Sequence, residues 1–213
     1  MSNIRPIASA AALEAVTQIH AEAFRESLHI RLGTTYVRRM LEWFAEGEPR
    51  IALAAYDNQG RVVGYVLGAP LDQLSAMSRR LMPVALRGLL RRPGALLNSE
   101  FRRVCFRRLK NLFVTDAAEP PLPELEQPTM SLVGIGVAQS AQGHGVGRAL
   151  VEEFVAAAAR IGARSLELTV RRENAGALRL YEHAGWTRTD APGELAATVR
   201  YVKRIDPLSE MRR

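Results

Sequence analysis

The stretch AQSAQGHGVGRALVEEF, residues 138–154, places Gly143, Gly145 and Gly147 at alternate positions directly before a helical pattern. A helix N-terminus offers unpaired N–H groups and a partial positive charge. Glycine permits φ > 0 and removes the side chain that would hold a ligand off the backbone. Together these suit a phosphate or pyrophosphate. Two common phosphate loops do not fit. The fingerprint G-x-G-x-x-G would need its last glycine where Arg148 stands, and G-x-x-x-x-G-K-[ST] needs a lysine that does not follow. A tight strand-to-helix turn without a ligand is the plain alternative.

A second stretch narrows the choice. Residues 174–186 read NAGALRLYEHAGW. With Gln142, Gly145 and Gly147 matching [RQ]-x-x-G-x-[GA], and Asn174, Ala177, Tyr181, Gly185 and Trp186 matching N-x-x-A-x-x-x-Y-x-x-x-G-[FW], the chain resembles the GCN5-related N-acetyltransferase (GNAT) family. The resemblance is close over about 129–187. Before the loop the family has V-x-P, whereas this chain has Val137-Ala138-Gln139.

The resemblance implies an acetyl-CoA-dependent N-acetyltransferase, with acetyl-CoA as co-substrate and no metal. Backbone N–H groups of Gly143, His144, Gly145, Val146, Gly147 and Arg148 would hold the pyrophosphate, with Gln142 at the start of the loop. Ile135, Gly136 and Val137 would line the pantetheine arm as a neighbouring strand does. The N–H of Val137 would polarise the thioester carbonyl. Tyr181 would serve as acid near the sulfur, and Asn174 would contact the pantetheine arm or a water. Glu26 and His29 fall where the family commonly forms the acceptor site.

Each assignment has a plainer reading. Asn174 also suits a helix N-cap, Tyr181 a core tyrosine with a satisfied hydroxyl, Gln142 a turn closure, Gly185 a C-cap and Trp186 the core. Glu26 and His29 also suit a solvated face. The strand 129–138 carries no Asp, Glu or His, so no general base is readable on it; Glu124 and Glu126 lie just before it. His20, His144 and His183 show no metal-ligand spacing with the cysteine. Cys105, set among arginines, reads as filler on an apolar helix face ahead of a nucleophile.

These residues need elements to position them. Residues 2–7 read as a strand. Ser9 caps a helix over about 10–24, with Leu13, Val16, Ile19, His20, Ala23 and Phe24 on one face. Thr34 caps a second helix with the stripe Val37, Met40, Leu41 and Phe44. Residues 50–57 and 61–68 form a hairpin about the turn 58–60. The segment 72–113 reads as helical, interrupted at Pro83 and at Pro93-Gly94. Then follow a proline-rich loop (117–128), a strand (129–138), a helix ended by Gly162, a strand (165–170), a helix over 174–184 ended by Gly185, and an alternating strand (197–205). The fold class is α/β or mixed α+β. The resemblance implies a mostly antiparallel mixed sheet flanked by helices, one domain over 1–213 with an insertion at about 70–128.

The net charge is +7, and the segment 72–110 alone carries a net +8. Four Arg-Arg pairs, 79–80, 91–92, 102–103 and 107–108, stand among Leu, Met and Val. A helical cap with solvated arginines, a surface for an anionic acceptor or membrane face, and a homodimer contact all fit. Nucleic acid ranks last, because only Phe101, Phe106 and Phe113 are there to stack on bases. No apolar run approaches the ~18 residues of a membrane span, no signal layout opens the chain, and Cys105 alone cannot make an internal disulfide; the expectation is a cytoplasmic protein. Two further readings stay open: a non-catalytic acyl-CoA-binding module on the same fold, and a peripheral membrane acetyltransferase acting on a surface-sugar precursor.

Overall fold

A computed structural model describes residues 3–25, 27–91, 125–189 and 197–205. In chain order these form β1 (Asn3–Pro6), α1 (Ala10–Ala23), α2 (Leu28–Arg31), α3 (Thr34–Ala45), β2 (Ile51–Tyr56), β3 (Val62–Pro70), α4 (Leu74–Arg91), β4 (Thr129–Val137), α5 (Val146–Arg160), β5 (Ser165–Arg171), α6 (Ala175–His183), β6 (Thr187–Arg188) and β7 (Thr198–Arg204). The strands make one seven-stranded sheet in the order β1-β2-β3-β4-β5-β7-β6. Every neighbouring pair is antiparallel except β4 with β5, which is parallel.

Two apolar layers sandwich the sheet. On one face α5 buries Leu150, Val151, Phe154 and Ala158 completely, against Val66, Leu132, Leu166 and Leu168. On the other, α1, α3 and α4 cover Ala52, Ala54, Tyr65 and Leu67. The alternation of small and large residues along β3 lets both layers approach. A Cβ on Gly68 would lie 2.3 Å from Phe154 Cε2, so the α5 layer seats its phenylalanine over a bare position.

Most local expectations hold. Ser9 caps α1, its Oγ accepting from Ala12 N at 3.1 Å. Ala23, expected on the apolar face, is exposed. Thr34 does not cap α3: Gly33 takes the cap position at φ 102°, without a side-chain bond, and Thr34 is the first helical residue. Pro83 does not interrupt its helix, since α4 runs unbroken from Leu74 to Arg91. The helix keeps its course because Leu81 and its partly buried neighbours Met77, Val84 and Leu89 pack onto the layer formed by α1 and α3, which offsets the roughly 3 kcal/mol a proline costs inside a helix. Gly88 packs so close to Leu32 that a Cβ would sit 2.3 Å from its carbonyl oxygen. The one-turn α2 and the two-residue β6 are too short for any periodicity to announce them. Pro93-Gly94, Cys105, Glu124 and the later arginine pairs lie outside the described residues.

Candidate functional site

The parallel junction is short. Thr129, Met130 and Ser131 of β4 pair with Ser165, Leu166 and Glu167 of β5, and there the pairing stops. β4 continues to Val137 and β5 to Arg171 without each other. A wedge therefore opens in the middle of the sheet, with one wall the unpaired edge of β4.

A bulge accompanies this wedge. Leu67 stands opposite Gly134 and Gly68 opposite Leu132, so Val133 is an additional residue on β4. It is 39% exposed. Because the insertion reverses the side-chain alternation, Met130 and Leu132 and then Ile135 and Val137 all pack in the α5 layer. Beyond the bulge, Ala138 N donates to Val63 O at 2.9 Å. Antiparallel pairing alternates its bonding direction. Gly136, opposite Tyr65, consequently turns its amide groups toward β3, while Ile135 and Val137 turn theirs into the wedge. Gly136 also makes room for a side chain of β3, because a Cβ there would lie 2.6 Å from Tyr65 Cε1.

The wedge leads to the glycine loop. Gly143 and Gly145 hold φ of 78° and 79°, where other residues are strained. Gly145 is the N-cap of α5, and no side chain caps that end. A Cβ on Gly143 or Gly145 would meet nothing within 4 Å, so open space lies above both. The amides at the start of α5 thus face an open approach with no acid in the first helical turn. Gln142 Nε2 donates to Val137 O at 3.2 Å, tying the loop to the end of β4. His144 Nδ1 donates to Gln142 O at 2.8 Å. A Cβ on Gly147 would touch Leu180 Cδ2 at 3.6 Å, which sets the loop against α6. Arg148 is exposed and paired with Glu152 at 2.8 Å.

α6 brings Tyr181 to the same layer. Its ring is 4% exposed and lies 5.9 Å from Trp186 and 6.0 Å from Tyr201. Burial pushes its phenol well above the ordinary range, so it keeps its proton throughout physiological pH. Asn174 caps α6, its Oδ1 accepting from Ala177 N at 3.1 Å. Gly185, at φ 74°, turns the chain after α6.

On the opposite face a histidine cluster underlies the wedge. His20, 3% exposed, shares a hydrogen bond between Nδ1 and the Tyr65 hydroxyl. Its ring stacks on Phe24 at 4.7 Å and lies 4.8 Å from His29. Its Nε2 is buried without a hydrogen-bond partner among the described residues. Burial first, and the neighbouring His29 second, hold His20 down to about 3. Ser27 donates to Phe24 O at 2.6 Å, so its oxygen accepts from His29 Nε2 at 2.9 Å. His29 thus joins this cluster, whereas Glu26 lies outside the described residues. Glu126 is exposed and faces Arg164 at 3.9 Å.

One residue is not foreseen by either motif. Glu167, on β5, is 7% exposed and stands opposite Ser131 at the last paired rung. A signal for it exists in the sequence: it is the only acid in SLELTVR, and the apolar alternation around it turns it away from the α5 layer.

Comparison with known proteins points to the same family over part of the chain. Residues 101–186 match the family model described as Acetyltransferase (GNAT) family. Over these residues the chain is similar to the GNAT acetyltransferase family. A 69-residue stretch is 38% identical to mycothiol acetyltransferase of Geodermatophilus obscurus, covering 32% of this chain; the chain spans 22% of that relative's length. Among solved structures, the GNAT-superfamily phosphinothricin acetyltransferase of Sinorhizobium meliloti, in complex with acetyl-CoA, aligns with a TM-score of 0.60 at 15% identity, over 96% of this chain and 88% of that one. A putative acetyltransferase from Salmonella typhimurium with its cofactor acetyl-CoA aligns at 0.59 and 18% identity, over 96% and 94%. At such identities the structural likeness speaks for the fold, which this chain shares over nearly its whole length. No described helix is long and apolar enough to cross a membrane, and no described group of three or more His, Cys, Asp or Glu could hold a metal.

Proposed function

We propose that this chain is an acetyl-CoA-dependent N-acetyltransferase that passes acetyl directly to a primary amine, as a single cytoplasmic domain with an insertion at about 70–128. The observation that carries the reading is the continuity of the wedge: an unpaired β4 edge runs into a glycine-opened helix N-terminus with open space above it. Such a track takes an extended amide-bearing arm along the strand and a pyrophosphate at its end.

Within this reading the backbone N–H groups of Gly143 to Arg148 hold the pyrophosphate. Ile135 and Val137 pair with the pantetheine arm, and the Val137 N–H donates to the thioester carbonyl as negative charge builds on it. Gly136 contributes by its bareness. Tyr181, kept protonated by burial, donates to the departing sulfur. Asn174 fixes the start of α6 and through it Tyr181. Gln142 and His144 shape the loop. His29, with Ser27, borders the acceptor side. Bringing both reactants into one wedge supplies much of the rate, and no covalent enzyme intermediate is required.

The test is release of CoA thiol from acetyl-CoA in the presence of a panel of amines: alanine amide, a lysine dipeptide, glucosamine and spermidine. Amine-dependent release supports the reading; tight acetyl-CoA binding without release from any amine favours the non-catalytic module.

One observation favours a peripheral membrane form of the same enzyme. On α4, Leu86 and Leu90 are 52% and 81% exposed, one helical turn apart and next to Arg87. A basic helix with exposed leucines suits an anionic lipid surface. Co-sedimentation with phosphatidylserine vesicles that survives Leu86→Ser/Leu90→Ser would exclude that role for this face.

A further inference from the structure

Transfer to an amine has a requirement that β4 does not meet. An alkylamine is an ammonium ion near neutral pH, with a pKa near that of lysine, about 10.4. It has no lone pair for attack until a base takes a proton. β4 carries no ionisable side chain between Thr129 and Val137.

The other wall of the wedge supplies one. Glu167 is the sole acid of β5. It stands at the apex of the wedge, in register with Ser131 at the last rung before the strands part. Leu166, Leu168 and Val170 all belong to the α5 layer, so Glu167 lies on the opposite face, away from Tyr181. Glu167 is 7% exposed at the sheet junction and is not without a partner there, so what marks it is its place at the apex. On its face the neighbouring groups are Ser165 and Thr169 on β5, Thr129 and Ser131 on β4, and Arg200, Val202 and Arg204 on β7; α1, which packs on this side, turns Thr17 and His20 inward. His20, held neutral, does not compete for the role.

We infer that Glu167 is the general base, taking a proton from the acceptor ammonium through an intervening water at the apex of the wedge. This rests on the acetyltransferase reading above. R–NH3+ gives one proton to the Glu167 carboxylate. The neutral amine forms the C–N bond as the C–S bond breaks, and the sulfur takes the proton of the Tyr181 hydroxyl. The amide nitrogen loses its second proton, which restores the Tyr181 hydroxyl through water. Glu167 then releases its proton to solvent. The sum is R–NH3+ plus acetyl-CoA giving the N-acetyl amide, CoA–SH and H+. The two walls divide the labour: base on the α1 face, acid on the α5 face.

The experiment measures kcat/KM against pH, with acetyl-CoA and the best amine of the panel, for wild type, Glu167→Gln and Glu167→Asp. Calorimetry with acetyl-CoA runs in parallel as the check on folding and on the cofactor site. Glu167→Gln is expected to keep acetyl-CoA affinity and to lose about 10²-fold in kcat/KM at pH 7.5. The deficit shrinks as the pH approaches the pKa of the amine, where the free base is already present. Glu167→Asp, whose shorter arm still carries a base, recovers part of the rate and keeps the wild-type pH dependence. A Glu167→Gln loss equal at every pH, or no loss, overturns the assignment while leaving the transferase reading intact. If Glu167→Gln no longer binds acetyl-CoA, Glu167→Asp decides alone, and a wild-type rate in it overturns the assignment. Wild type that binds acetyl-CoA but acetylates no amine of the panel overturns the transferase reading, and the base with it.

Discussion

His20 couples the α1 face of the sheet to pH. Its folded pKa is lowered to about 3 from an ordinary value of 6.5. Between those values the unfolded chain binds the proton and the folded chain does not. The contribution is therefore full above pH 6.5 and declines as pH falls toward 3, by at most about 1.4 kcal/mol per pH unit. Urea unfolding at pH 7.5 and pH 5 reads this directly; His20→Gln is expected to flatten the dependence, and an unchanged slope in the variant would mean that other groups set it. Tyr65, completely buried beside His20, makes Gly136 a packing residue as much as a strand residue. Gly136→Ala is expected to cost about 1–3 kcal/mol by overpacking, measured as a lowered unfolding midpoint. Tyr181→Phe tests the acid role at the same scale: turnover drops about 10²-fold while acetyl-CoA affinity holds. Unchanged turnover would leave Tyr181 as a core tyrosine packed on Trp186 and Tyr201.

At the level of elements, the glycine loop is the most legible part of the sequence, because its requirement is local. Positive φ at Gly143 and Gly145, and the helix that follows, depend on neighbours only. The substitution Gly145→Glu separates backbone need from ligand need. Strain at φ 79° costs about 1–2 kcal/mol, and a Cβ there meets no protein atom within 4 Å, so the fold is expected to survive. Acetyl-CoA affinity is expected to vanish, since the new carboxylate stands where the pyrophosphate would lie; wild-type affinity by titration would place the pyrophosphate elsewhere. Long-range features are hidden. The bulge at Val133 sits in LVGIGV, a run apolar throughout, where no alternation betrays a reversal. The unbroken path of α4 through Pro83 depends on packing against α1 and α3, which no local rule carries. Asn174 fulfils its plainer reading as a cap, and this does not conflict with a place beside the cofactor arm. Glu167 is invisible to the motifs because it lies on a different strand from them, and only the pairing register brings β5 to the same apex as β4.

For the whole molecule, the sheet is two antiparallel halves joined by three parallel rungs. A ligand that lies along β4 and ends at α5 bridges across the wedge in place of the missing pairs. It binds the folded chain alone, so it stabilises: about 2.7 kcal/mol at a concentration of 100 Kd. The order of elements and the class are readable because alternation and helical stripes survive in each segment. The wedge is not, because strand length and pairing length differ only in three dimensions. The basic excess of the segment 72–110 is seen in part: Arg80 makes a two-point contact with Glu46, at the end of α3, at 2.7 Å, a surface pair of modest worth, about 0–1 kcal/mol.

The glycine loop and the free β4 edge are assigned to acetyl-CoA, and calorimetric titration of the purified chain with acetyl-CoA, with NAD as control, tests that assignment most directly. Saturable one-to-one binding of acetyl-CoA in the micromolar range, and none of NAD, is the expected result. Absence of acetyl-CoA binding would contradict it, reducing the loop to a strand-to-helix turn.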